Sequence, residues 1–167
     1  MGDLNSTLVG AFTERYTTLA CKVRELAEPL SEQDFWRKPF GFGNSFGHLV
    51  LHLTGNLNYY IGAEVGDTGY VRDREREFTE TNHSTKDATL KNFDEAVDTV
   101  LRTLLVQASE DWSKEYKAVR EEDANDRMAI FLRCVTHMDH HVGQMMYLCY
   151  ALKEESEKPI PQAQSAG

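Results

Sequence analysis

Five of the six histidines in the 167-residue chain fall into two groups. His48 and His52 stand four apart, and His137 and His141 stand four apart with His140 beside them. On a helix, positions i and i+4 share a face with Cβ atoms about 5–6 Å apart, so two imidazoles can converge on one ion. A third imidazole from a neighbouring helix would complete a three-histidine site with an open position, the usual form of a catalytic zinc site. Imidazole suits nickel, copper and iron as well. Ligating imidazoles must be neutral, so affinity is expected to fall as pH drops through the ~6.5 region. Two other helical metal motifs are missing. No Glu-x-x-His motif of the di-iron carboxylate type surrounds these histidines. The residues between His137 and His141 are Met138, Asp139 and His140, so the glutamate base of an HExxH metalloprotease is absent. The competing explanation is a helical scaffold with core histidines, but imidazole pairs buried without a nearby carboxylate are poorly explained by packing alone.

The elements that carry these residues are helical. Prolines occur only at positions 29, 39, 159 and 161, which leaves long uninterrupted helices possible in between. A first helix is expected from about Leu4 to Glu28, with Leu8, Phe12, Tyr16, Leu19, Val23 and Leu26 at steps of three or four, ended by Pro29. Ser31 with Asp34 can cap a single turn over Phe35 and Trp36. A second helix runs from Asn44 or Ser45 to Val65, with Phe46, Leu49, Val50, Leu53, Leu57, Tyr60 and Ile61 as its core stripe. It lies in a stretch, Pro39 to Ala63, without Asp, Glu, Lys or Arg, so it belongs at the centre of the domain. A third follows Ser84 as N-cap, with Asp87 in its first turn. The fourth runs from about Asn125 to Lys153 with apolar residues around much of its circumference, so it too is expected to be central.

The connection from Gly66 to His83 is long and charged, with Asp73, Arg74, Glu75, Arg76 and Glu77 in a row. At ~3.3 Å per residue it can reach about 60 Å, against roughly 30 Å for the second helix at ~1.5 Å per residue. It can therefore return along the whole bundle and leave helices two and three parallel, where an up-down-up-down bundle needs only a short turn. The expected fold is an all-α four-helix bundle over residues 1–153, up-down-down-up, with a polar, disordered tail over 154–167.

Composition narrows the partners. Hydrophobic residues make up 41% and charged residues 27%, ordinary for a globular domain. The net charge of -9 argues against nucleic acid and against an anionic membrane surface, both of which select basic patches. No run of ~18 apolar residues occurs, so no transmembrane helix is expected. The three cysteines, Cys21, Cys134 and Cys149, form neither a disulfide framework nor a zinc ribbon. With no basic-then-apolar leader at the N-terminus, a cytoplasmic location is expected.

The run His137-Met138-Asp139-His140-His141-Val142-Gly143-Gln144 resembles the HxxxHxGQ signature of the DinB-like superfamily. The run Ser45-Phe46-Gly47-His48-Leu49-Val50-Leu51-His52-Leu53 is similar to that superfamily's second-helix motif, a Ser-aliphatic-Gly opening with a histidine seven residues after the serine. The resemblance covers residues 4 to 153. It implies a four-helix bundle with parallel second and third helices, a three-histidine metal site, often nickel or zinc, and a homodimer. Carried over residue by residue, the implied ligands are His52, His137 and His141. His48 falls where the motif is variable and becomes a neighbour. His140 should point about 100° away from His141. Val142 stands where the family often has Arg, so no anion-binding role is carried over to it.

The resemblance also implies an activity. Some members are metal-dependent transferases that use a low-molecular-weight thiol, and related ones isomerise maleylpyruvate with mycothiol. The expected function is therefore a metal-dependent enzyme acting on a small molecule with a thiol or water as nucleophile. The alternatives are a metal-dependent hydrolase and a non-enzymatic metal-binding stress protein. Tyr59, Tyr60, Trp36 and Phe40 are candidate pocket walls. Gln144, three residues after His141, could orient a ligand by hydrogen bonding. Cys134, one turn before His137, is a weaker ligand candidate that more readily acts as a small core hydrophobe. Asp139 is expected on the helix surface and His83 exposed in the loop.

Overall fold

The computed structural model describes residues 3–120 and 123–156. Among them the chain is helical, with one isolated antiparallel bridge between Glu115 and Asp126 and no strand. The α-helices are α1 Leu4–Ala27, α2 Glu32–Trp36, α3 Phe46–Leu57, α4 Arg76–Thr79, α5 Lys86–Leu105 and α6 Arg127–Ser156. α3 runs on into a π-helical turn, Asn58–Ala63, and a 3-10 turn, Ser109–Asp111, lies between α5 and α6. No described helix is long and apolar enough to cross a membrane.

Each long helix forms where the apolar residues recur at helical spacing. α1 buries Phe12, Tyr16, Leu19, Val23 and Ala27 against α5 and α6. Each large side chain so buried is worth roughly 1.5–3 kcal/mol. Leu26, expected in this stripe, is only half-buried; the buried position is Ala27, where the small side chain lets the chain turn into Pro29. The last carbonyls of α1 lack helical partners. Lys86 supplies a cation there: its Nζ donates to the carbonyls of Ala27 at 2.9 Å and Leu30 at 2.6 Å. Arg24 pairs with Asp94 across the same α1–α5 seam.

Ser45 opens α3 by accepting the His48 backbone N–H at 3.2 Å. Phe46, Val50, Leu53 and Leu57 are fully buried, because α2, α4, α5 and α6 all pack on this uncharged helix. The central place expected for it is observed. α6 differs from expectation. It buries Ile130, Phe131, Cys134, Val135, Met138, Val142, Met145 and Leu148, but leaves Leu132, Met146, Tyr147 and Tyr150 exposed. It is packed on α1 and α3 along one side only.

α5 starts one residue later than its serine suggests. Thr85, not Ser84, accepts the Ala88 N–H at 3.2 Å. Both residue types cap well; the carboxylate of Glu32 settles the register by accepting the Lys86 N–H at 3.0 Å. The Gly66–His83 connection makes no tight turn. It passes through α4, which packs on α3, and ends where His83 stacks on Trp36. α6 continues to Ser156, beyond the expected end at Lys153. The rest of the expected tail, 157–167, lies outside the described residues.

Candidate metal centre

α3 and α6 bring three histidines to one point. His52, His137 and His141 each offer a ring nitrogen, and these nitrogens lie within 4.8 Å of one another. His137 Nε2 stands 3.2 Å from His52 Nε2 and 3.0 Å from His141 Nε2. Three nitrogens on a tetrahedral zinc at ~2.0–2.1 Å would be separated by roughly 3.3 Å. The observed spacings are close to that edge.

The partners on the far side of each ring decide what the convergent nitrogens are. His52 Nδ1 lies 2.8 Å from Glu77 Oε2, which accepts, and 3.3 Å from Arg72 Nη2, whose nearer acceptor is the same carboxylate oxygen at 2.9 Å; the shorter contact assigns the proton to Nδ1. His141 Nδ1 lies 2.8 Å from Gln144 Oε1, again an acceptor. Both Nε2 atoms then present lone pairs inward. His137 Nε2 can donate one proton, to one of them. Three convergent nitrogens thus share at most one hydrogen, and a cation between them satisfies all three. The donor set fits a divalent metal ion. The acceptors behind His52 and His141 are of the kind that fix tautomer and ring orientation in metal sites. His137 Nδ1, by contrast, is buried without a hydrogen-bond partner among the described residues.

Burial keeps the pair on α6 neutral. Desolvation, then the neighbouring imidazoles and Arg133 and Arg72, push His137 down to about 2. Desolvation pushes His141 down to about 4, opposed in part by its bond to Gln144. For these two residues, competition by protons moves below the ~6.5 region expected of a free imidazole.

The carboxylate behind His52 was not legible in the sequence. Glu77 lies on α4, in what reads as a solvated charge run, yet it is buried, and Arg72 holds it with Nε to Oε1 at 2.7 Å and Nη2 to Oε2 at 2.9 Å. The expectation of imidazoles without a nearby carboxylate is thereby corrected: the charged connection folds back and delivers one. The available signal was Phe78, the one large apolar residue in 72–82, whose ring packs 4.8 Å from that of His52.

The other candidates fall around this point. His48 turns away: Ser45 Oγ lies 2.6 Å from its Nδ1 and the Glu80 carbonyl 3.3 Å from its Nε2. Burial lowers its pKa. His140 is exposed and meets Gln144 Nε2 at 3.1 Å. Asp139 is exposed and pairs with Arg15 at 2.9 Å. Cys134 is buried near Tyr16 and Tyr116, outside the convergent set. His83, expected to be exposed, is half-buried with its ring stacked 3.9 Å from Trp36.

A cavity of about 850 Å³ opens beside the centre, with Tyr59, Tyr60, Tyr70, Arg72 and Phe78 in its wall. None of the three histidines lines it, but Arg72 and Phe78 of its wall both touch His52. Of the four aromatic residues suggested as pocket walls, Tyr59 and Tyr60 line this cavity, whereas Trp36 and Phe40 do not. Trp36 is taken by His83 and by the close approach of Gly47, and Phe40 stacks on Phe42 in the wall of a separate cavity of about 220 Å³ that Gln144 also reaches.

No curated protein matches the sequence. A family model described as "Protein of unknown function (DUF1572)" matches residues 10–164 and so spans both histidine pairs, α4 and the cavity. The chain belongs to the DUF1572 family.

Proposed function

We propose that the chain is a metal-dependent enzyme of DinB-like type, in which His52, His137 and His141 hold one divalent ion, zinc or nickel, beside a small-molecule cavity. The observation that carries this reading is the convergence of three imidazoles, with His137 Nε2 3.2 Å from His52 Nε2 and 3.0 Å from His141 Nε2, the latter two left unprotonated by Glu77 and Gln144. A divalent ion held by neutral imidazoles supplies Lewis acidity, lowering the pKa of a thiol or water that it binds. The chain's own part is to keep the imidazoles neutral by burial, to orient two of them through Glu77 and Gln144, and to seat an electrophile against Tyr59, Tyr60 and Phe78. The reaction class is thiol S-transfer to a small electrophile, with hydrolysis as the variant in which water replaces the thiol.

The bundle topology belongs to the same proposal: four long helices, α1 up, α3 and α5 down, α6 up. Contacts support it at both ends. The start of α5 meets α2 through Glu32 and Lys86, next to the start of α3, and Thr99 further along α5 meets Gly62 beyond the end of α3. Tyr16 of α1 donates to the Phe131 carbonyl of α6, and Cys149 meets the Leu26 carbonyl further on. A homodimer in the cytoplasm completes the reading; the exposed Tyr147 and Tyr150 of α6 offer an apolar face for association. Light scattering at micromolar concentration should give twice the chain mass, and one chain's mass would remove the dimer.

The decisive experiment is elemental analysis of protein purified without chelator or nickel resin, followed by turnover assays. Stoichiometric zinc or nickel is expected, with consumption of an electrophile only when metal and thiol are both supplied. Metal without turnover leaves a non-enzymatic metal-binding protein. Absence of stoichiometric metal sinks the enzyme and the binding protein together.

A further inference from the structure

We infer that Glu77 is a positioning residue for His52, and that docking of the connecting segment 72–80 onto α3 is linked to occupation of the three-imidazole centre. The inference rests on the metal reading above and adds a moving part to it.

α4 is four residues long, and most of its surroundings are exposed. Glu77 and Arg72 are exceptions, with side chains each 7% exposed. Burying a carboxylate costs several kcal/mol (about that much per ion) unless its charge and lone pairs are satisfied. Here they are: Oε1 accepts from Arg72 Nε, and Oε2 accepts from Arg72 Nη2 and from His52 Nδ1. Arg72 is itself braced over the Tyr60 ring at 5.4 Å. An ion pair alone could have stayed on the surface. The bond to the imidazole is what burial gains, and it falls on the nitrogen opposite the one that faces the centre. Such a bond fixes the tautomer and raises the basicity of the inward nitrogen.

α3 is shaped to admit the carboxylate. Gly55 sits three residues after His52, and a Cβ there would collide with Glu77 Oε1 and Cδ. Glycine inside a helix costs about 1 kcal/mol relative to alanine, and at this position it opens the room that Glu77 occupies. Segment 72–80 meets α3 through the two histidines of that helix: Glu77 and Phe78 on His52, and the Glu80 carbonyl on His48. A metal ion that pulls on His52 Nε2 strengthens the bond at Nδ1. Whatever binds more tightly to the docked form favours docking, and docking favours its binding in equal measure.

The test uses the full chain, stripped with chelator, in three forms: wild type, Glu77→Gln and Gly55→Ala. Zinc affinity is read by calorimetry, and amide hydrogen exchange over 76–80 with and without zinc. Gly55→Ala removes no ligand and no charge and favours the helix, so weakened zinc binding in it cannot come from a lost helix; circular dichroism checks this. Both variants should lose ~10–100-fold in zinc affinity, the range for an outer partner of a ligating histidine. Zinc should slow exchange over 76–80 in the wild type and not in the variants. Wild-type affinity in either variant overturns the positioning role. Exchange over 76–80 that ignores zinc in the wild type overturns the linkage. A wild type that binds neither zinc nor, in a parallel titration, nickel overturns this inference and the metal reading together, which separates that failure from the other two.

Discussion

On α6, His137 and His141 turn both Nε2 atoms toward one point. On α3, His52 joins them, while His48, one turn earlier, spends both nitrogens elsewhere. The spacing is the same in the two pairs. It fixes where the Cβ atoms stand, but the group behind each ring fixes which nitrogen is free. Glu77 and Gln144 accept from the Nδ1–H groups of His52 and His141 and leave Nε2 open. Ser45 and the Glu80 carbonyl engage both nitrogens of His48, and the ring packs edge-on against Trp36 and His83. The α6 pair can therefore supply two ligands, whereas the α3 pair supplies one ligand and one pin.

The largest effects should come from the open nitrogens. His137→Ala or His141→Ala is expected to abolish tight zinc and nickel binding, by more than the ~10–100-fold that a lost outer partner costs. His52→Ala should do nearly as much. Calorimetric titration of chelator-treated protein reads all three. Full-strength binding by His52→Ala, with loss in His48→Ala, would reverse the roles within the α3 pair.

Next in size is a pH effect on the metal-free protein. His137 and His141 sit at about 2 and about 4 in the folded state, against ~6.5 unfolded. Below ~6.5 the unfolded chain takes up protons that these folded residues refuse, so stability falls with falling pH from there through the region of 4. The slope is bounded by ~1.4 kcal/mol per pH unit for each histidine and reduced by partial solvent screening. Thermal melts between pH 7 and 4 should show the decline, and His137→Ala should flatten it. An equal slope in that variant would place the acid sensitivity elsewhere.

The pinned half answers to stability rather than to metal. A Cβ on Gly47 would lie 2.5 Å from the Trp36 ring and 2.8 Å from Phe35. Gly47→Ala should therefore destabilise the fold by about 1–3 kcal/mol, the usual cost of overpacking. His48→Ala should cost about 1–3 kcal/mol through the backbone and hydroxyl partners it leaves behind, with zinc affinity near wild type. Denaturant melts and titration of the same samples separate the two readouts. The smallest change is expected for exposed His140→Ala: stability within about 0.5 kcal/mol of wild type, as for most surface substitutions. A large loss of metal binding there would make it a ligand.

How much of this could be read beforehand varies from region to region. The long helices follow from periodicity, since Phe12, Tyr16, Leu19 and Val23 can share a buried face only on a helix. The candidate ligands follow from type and spacing together with family resemblance. Glu77 was not readable, because Asp73, Arg74, Glu75, Arg76 and Glu77 alternate acid with base and nothing in the string singles out one carboxylate. Only tertiary contact with His52 and Arg72 selects one of them. Thr85 replaced Ser84 as a cap because Glu32, 54 positions away, holds the next N–H. Apolar residues around much of α6 suggest a central helix, yet Leu132 and Met146 face outward, because apolar character alone does not say which side a neighbour covers.

The π-helical turn at Asn58–Ala63 carries a consequence for insertions and deletions. Within it the Glu64 N–H reaches back to the Tyr59 carbonyl while that of Val65 bonds Ile61, so the Tyr60 carbonyl is passed over and accepts the Tyr116 hydroxyl at 3.0 Å. The Tyr60 hydroxyl in turn donates to the Val119 carbonyl at 3.2 Å. One surplus residue has thus been absorbed into the helix and used to tie down the stretch before α6. Deleting it would restore a regular helix, but would rotate everything from Glu64 onward by about 100°. A length change at this site should therefore be tolerated less well than one in the connection that follows.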